Sequence, residues 1–152
     1  MSVISTKEAL EKAMALCAQS EKCRSEIAEK LFRWGLDETQ TEIVLKELIE
    51  QKFIDENRYS LFYVRDKFRF NRWGKVKMAY LLRQKKIPDL LIQDALSDID
   101  DEAYLDALKI LLNQYARKKH FKNEYDKKAR LTRFALSRGF EYGPIEQALN
   151  DL

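Results

Sequence analysis

The feature that most constrains this chain is a phrase that occurs three times. It reads Leu31-Phe32-Arg33-Trp34-Gly35-Leu36, with Val44-Leu45 nine residues beyond Gly35. It returns as Leu82-Arg83-Gln84-Lys85-Lys86-Ile87 with Ala95-Leu96, and again as Ala135-Leu136-Ser137-Arg138-Gly139-Phe140 with Ala148-Leu149. The anchors Gly35, Lys86 and Gly139 lie 51 and 53 residues apart. A nearly fixed period of this size marks a repeated supersecondary unit, and repeat proteins usually present surfaces that hold a partner rather than pockets for chemistry.

Within each copy, apolar residues recur at helical spacing. Ala9, Leu10, Ala13, Leu16 and Cys17 mark one helix, Ile27, Leu31 and Phe32 a second, and Ile43, Val44, Leu48 and Ile49 a third. Gly35 suits the left-handed residue that ends a helix, and Asp37 with Gln40 three residues on makes a capping box. In the second copy Asp55 caps a long helix running through Tyr59, Phe62, Tyr63 and Val64 toward Phe70, which Trp73-Gly74 breaks. A strand at Phe62-Tyr63-Val64 is the competing reading, since those residues favour strands, but they sit inside a 3.6-residue pattern. Val76, Met78, Ala79, Leu81 and Leu82 mark the next helix, and Pro88 starts the one after it at its first turn. In the third copy Asp100 or Asp101 caps a helix through Leu112, Leu131, Phe134 and Ala135 mark another, and Gly143-Pro144 opens the last. The expected fold is all-α: three tandem three-helix repeats, 1–54, 55–99 and 100–152, forming an elongated, curved array. A three-helix unit buries little surface alone, so neighbours must pack together.

Composition supports helices. Only four Gly and two Pro occur in 152 residues, too few for the turns of an all-β architecture. No apolar run approaches the ~18 residues of a membrane span, and the N-terminus lacks the basic and apolar regions of a signal peptide. Cys17 and Cys23 stand alone and read as reduced thiols, so a cytoplasmic protein with no membrane partner is expected. A lone His120 among Lys118, Lys119 and Lys122 reads as a solvated residue, and the acids Asp98, Asp100, Asp101 and Glu102 as caps and a solvated corner rather than a metal cluster. No phosphate loop and no activated Ser or Cys is present. We therefore expect no enzyme, no catalytic or metal site and no cofactor.

Charge is more informative. Net charge is only +3, yet residues 1–64 hold 9 bases against 12 acids, whereas 65–86 hold nine bases against Asp66 alone. Residues 89–106 then hold seven acids and no base, and 117–138 turn basic again. Such blocks point to faces for charged partners. Arg65, Arg69 and Arg72 step by four and three, as residues on one helical face do, with Lys67, Lys75 and Lys77 beside them. Lys127, Lys128, Arg130 and Arg133, followed by Arg138, form a second basic stretch. Phe68, Phe70 and Trp73 interleave with the first. The aromatics read mainly as core, and Trp34 and Trp73, each before a glycine, as structural anchors. The excess of bases exceeds what solubility needs and suits phosphates or an acidic protein.

One segment carries a resemblance. Residues 48–65 include Phe53-Ile54, Asp55-Glu56, Arg58-Tyr59 and Val64-Arg65. In that order they resemble the signature of the RecX family, bacterial regulators of the RecA recombinase. Trp73-Gly74-Lys75-Val76 with Leu81-Leu82, and Arg24-Ser25-Glu26-Ile27 with Leu31, match the family's flanking patterns more loosely. Lys52 stands where the family often has Gly before the aromatic-aliphatic pair, and Lys86 where Gly is also common. The resemblance implies a regulatory protein that binds the RecA–single-stranded DNA filament and mainly inhibits its ATPase, strand exchange and SOS coprotease activity. Single-stranded DNA would be met directly or through the filament, by a monomer. On this reading Arg65, Lys67, Arg69, Arg72, Lys75, Lys77, Lys127, Lys128, Arg130 and Arg133 face the filament or its DNA. The alternative is a stand-alone helical nucleic-acid-binding module.

Overall fold

The structure, a computed structural model, describes residues 4–152. Among the described residues all regular structure is helical: α1 (Thr6–Gln19), α2 (Arg24–Arg33), α3 (Glu38–Glu50), α4 (Glu56–Asp66), α5 (Lys75–Gln84), α6 (Asp89–Ser97), α7 (Asp101–Arg117), α8 (Glu124–Ser137) and α9 (Tyr142–Asn150), with a π-helical turn at Lys67–Asn71 continuing α4. Phe62-Tyr63-Val64 lie within α4, so the strand alternative fails there.

Local chemistry sets the boundaries. Asp37 accepts from the Gln40 N–H while the Gln40 side chain accepts from the Asp37 N–H, closing the capping box on α3. Asp55 caps α4 through the Arg58 N–H, Asp100 caps α7 through the Ala103 N–H, and Asn123 caps α8 through the Asp126 N–H. Gly35 (φ 90°) and Gly139 (φ 91°) take the left-handed conformation beyond α2 and α8. Lys86 (φ 62°) and Lys52 (φ 63°) take it too. The turn geometry of the repeat is thus kept without glycine, at a backbone cost of roughly 1 kcal/mol each.

The helices pack in threes: α1 and α2 on α3, α4 and α5 on α6, and α7, α8 and α9 on one another. Ala9, Ala13, Ile27, Leu31, Val44, Leu45, Leu48 and Ile54 close a core among α1–α3. A second core is continuous from α4 to α9, through Met78, Leu82, Ile92, Leu108, Leu112, Leu131, Phe140 and Ile145. The second and third triplets share apolar interior; the first has its own.

Several expectations need correction. Pro88 (φ −59°, ψ 140°) precedes α6 as its cap rather than occupying its first turn. Ile43, Ile49, Phe32 and Phe62 are exposed. Ile43, Ile49 and Phe32 each lie about 100° round the helix from a buried neighbour, Phe62 lies opposite buried Ser60 and Val64, and the triplets offer each helix only a narrow buried stripe. The long helix from Asp55 stops as an α-helix at Asp66 and is ended by left-handed Arg72 (φ 56°), not by Trp73-Gly74.

The middle helices of the triplets, α2, α5 and α8, are strung end to end. At one joint the Gly74 N–H donates to the Arg138 carbonyl at 2.7 Å and the Val76 N–H to the Gly139 carbonyl at 2.9 Å. The start of α5 thereby satisfies the end of α8. At the repeat-related joint the Ser25 hydroxyl, at the start of α2, donates to the Lys85 carbonyl at the end of α5, at 2.7 Å. N–H-rich helix starts meet carbonyl-rich helix ends, so orphan groups are paired and the helix dipoles align.

Candidate partner-binding surface

The segment that carries the resemblance builds the joint between the first two triplets. Ile54 and Val64 are fully buried and Tyr59 nearly so. The Glu56 carboxylate accepts from the Arg24 N–H at 3.1 Å, filling an orphan donor of α2. Arg58 pairs with Glu21 at 2.7 Å and donates to the carbonyls of Lys52 and Phe53. Burial opposes ionisation of Glu26, but the Cys23 N–H and the Lys85 ammonium, 3.1 Å away, hold its carboxyl below the usual carboxylate range. Burial pushes the Cys23 thiol and the Tyr59 phenol upward, so both stay neutral at pH 7. These residues join the first two triplets.

The basic residues of 65–77 lie around the second joint. Arg65 is committed to Asp98 through two hydrogen bonds, at 2.9 and 3.1 Å, which hold that carboxyl below its ordinary range. The π turn winds more residues per turn than an α-helix, and Arg72 lies beyond it in left-handed conformation. Arg65, Arg69 and Arg72 therefore do not share one α-helical face, as their spacing had implied. Arg72 instead donates to Gln114 of α7 at 2.5 Å, reaching across to the third triplet. Lys67 and Lys77 hold Trp73 between them, at 5.4 and 4.5 Å from its ring, and Lys67 also lies 5.6 Å from Tyr63. Lys75 lies 4.9 Å over Tyr104, whose hydroxyl accepts from the Lys75 N–H and donates to Glu141. Burial, then the hydrogen bond to Glu141, pushes that phenol far above its usual range. Arg69 packs on exposed Phe70 at 5.3 Å.

Across the joint the pattern continues. Gly139 packs directly on Lys77. Arg138 lies 5.2 Å from Phe134, which stacks on Tyr115 at 3.9 Å, and Lys119 lies 5.3 Å from that ring. A band of alternating cations and aromatics thus runs from Tyr63 to Lys119. Arg138 and Lys119 belong to it although only the basic character of their stretch was evident beforehand. Nothing in the linear sequence pairs residue 77 with residue 139 except the repeat itself. Within the band, Arg69, Arg72, Lys75, Lys77, Lys119 and Arg138 have no carboxylate within 4.0 Å among the described residues, and Lys67 has Asp66 at 3.8 Å.

Lys127, Lys128, Arg130 and Arg133 form a separate group. Lys127 and Lys128 stand near the start of α8, about 15 Å along the helix from Arg138. Arg130 is tied down, donating to the His120 carbonyl at 2.8 Å, near Asp126 and over Phe121. Arg133 is exposed. Asp100 is a cap and Asp98 an ion-pair partner, and His120 is exposed. Among the described residues no three His, Cys, Asp or Glu side chains converge as a metal would need, and no helix is long and apolar enough to cross a membrane.

Comparison with known proteins accounts for this architecture. Residues 55–96 match the family description "RecX, second three-helix domain" and residues 101–149 match "RecX, third three-helix domain". A regulatory protein RecX of Prosthecochloris aestuarii is 30% identical over 154 residues, spanning 100% of this chain and 98% of that protein. One from Clostridium tetani is 34% identical over 146 residues, spanning 92% of this chain but only 65% of the relative. The crystal structure of RecX from Lactobacillus salivarius superposes with a TM-score of 0.86 at 21% identity, over 97% of this chain and 96% of that one. The end-to-end triplets, the joint built by Phe53-Ile54 to Val64 and the matches over nearly all of its length agree: this chain belongs to the RecX family.

Proposed function

We propose that the protein binds the filament of RecA recombinase on single-stranded DNA and moderates it, mainly by inhibition of ATP hydrolysis, strand exchange and coprotease activity. The observation that carries this reading is the band of unneutralised cations bridging the second and third triplets, in a chain whose relatives are named as regulatory proteins. Two triplets joined through one core hold those charges in fixed relative positions, which favours attraction to a repeating anionic surface over loose adsorption. Arg69, Arg72, Lys75 and Lys77 supply the main attraction in the middle triplet, with Lys67 beside them. Arg65 contributes less, because Asp98 neutralises it. Lys127, Lys128 and Arg133 act as a second, separate contact, and Arg130 shapes the surface more than it binds.

The test is affinity for RecA-coated against bare single-stranded DNA over a range of salt. A filament regulator prefers the coated strand. A stand-alone nucleic-acid module binds the bare strand at least as tightly, with a steep negative slope of log affinity against log salt. Combined Arg72→Glu and Lys75→Glu weakens filament binding at least tenfold in a chain that still folds cooperatively. Unchanged binding by the folded double variant removes that part of the surface from the proposal.

A further inference from the structure

The π turn holds one exposed aromatic that neither packing nor capping explains. Phe70 is 69% exposed, whereas Phe68, two residues earlier, packs on Tyr104 with ring centres 5.9 Å apart. The widened turn carries both, Phe68 inward and Phe70 outward, as residues two apart on any helical turn do. It is also costly: a π turn and a left-handed arginine stand where an α-helix with a Gly cap would be cheaper. The turn is held firmly nonetheless. The Trp73 N–H donates to the Lys67 carbonyl, Arg72 is tied to Gln114, and Trp73 is held between Lys67 and Lys77.

The surroundings separate this aromatic from the two that are more exposed. Phe32 lies on α2 with Arg33 already paired to Glu29, and Tyr125 is flanked by Glu124 and Asp126. Phe70 has Arg69 and Arg72 on either side, neither with a carboxylate within 4.0 Å among the described residues. Arg69 lies against the ring and leaves most of it accessible. An exposed aromatic face beside guanidinium groups free of carboxylates suits a single nucleic-acid strand: a π surface for a base, and cations for the flanking phosphates.

We propose that Phe70 is a base-stacking residue for an exposed single strand, with Arg69 and Arg72 holding the adjoining phosphates. This deepens the reading above and rests on it in placing the 65–77 surface against the filament's DNA. Its test is separate. Anisotropy at low salt compares two labelled 12-nucleotide strands of equal charge, one with ordinary bases and one with abasic sites throughout. The wild-type chain binds the base-bearing strand about fivefold or more tightly than the abasic one. Phe70→Ala and Phe70→Leu remove that preference and leave the abasic affinity unchanged, and Phe70→Trp retains it. The inference is overturned by a wild-type chain that shows no preference or does not bind the bare strand, or by variants that weaken both strands equally. It is also overturned if Phe70→Ala loses filament inhibition with strand preference intact, which would assign Phe70 to a protein contact. The strand comparison does not depend on whether the chain prefers RecA-coated DNA, so the two readings fail separately.

Discussion

Gly74 has no room for a side chain. A Cβ there would lie 2.3 Å from the carbonyl carbon and oxygen of Gly139 and 2.4 Å from the Phe140 nitrogen, all backbone atoms that cannot step aside alone. Gly139 is constrained twice, by its positive φ and by Lys77, whose Cβ would lie 2.3 Å from an added one. Gly143 has nothing within 4 Å and sits in the first turn of α9. Gly74→Ala is therefore expected to cost about 1–3 kcal/mol by forcing the joint apart, and Gly143→Ala to be neutral or stabilising by up to about 1 kcal/mol. Urea unfolding of the two variants checks this, and equal midpoints would refute the close backbone contact. Lys86→Gly tests the other end of the repeat, since Lys86 holds at φ 62° the conformation that Gly139 holds at 91°. It is expected to raise stability by up to about 1 kcal/mol, read from the same unfolding curves.

The two joints between triplets place equivalent elements together with different chemistry. Between α5 and α8 the contact is backbone on backbone, backed by a shared apolar core. Between α2 and α5 it is Ser25 on the Lys85 carbonyl and Lys85 on Glu26, with Arg58 of α4 on Glu21 beside them and the apolar cores largely separate. Side-chain ion pairs are weakened by salt and acid, so the first joint is the sensitive one. Glu26 titrates lower in the folded chain than in the unfolded one. Its contribution is complete above about pH 5, where the unfolded carboxyl is ionised, and disappears as pH falls through the folded value. Glu56 runs the opposite way: burial raises its folded value against the Arg24 N–H, so its ionisation costs stability rather than adding it. Glu26→Gln is expected to flatten the fall in stability below about pH 5 in thermal melts, and an unchanged slope would show that the carboxylate is not held as described. Helix order, caps and the threefold plan were legible in the sequence because periodicity and Asp-x-x-Gln spacing are local. The π turn was not, because nothing local marks it and the contacts it makes, such as Phe68 on Tyr104, 36 residues away, are distant in sequence.

At the scale of the whole molecule, three similar triplets differ most in charge and in how firmly they are joined. The first is acidic and carries the ionic joint; the second and third share a core and the cation–aromatic band. The basic character of 65–77 was readable from composition alone. Which of those cations are spent internally was not: Arg65 belongs to Asp98, and Arg138 joins the band only because the repeat folds residue 139 onto residue 77. On the function proposed above, the array would lie along something larger than itself, and the charge differences between its copies would decide which face does so. The central claim is that this band acts on the RecA–DNA filament. It is tested most directly by titrating the protein into DNA-dependent ATP hydrolysis by its cognate RecA. The account predicts a saturable fall in hydrolysis that the Arg72→Glu, Lys75→Glu chain fails to produce at equal concentration. Undiminished hydrolysis at saturating wild-type protein would contradict it.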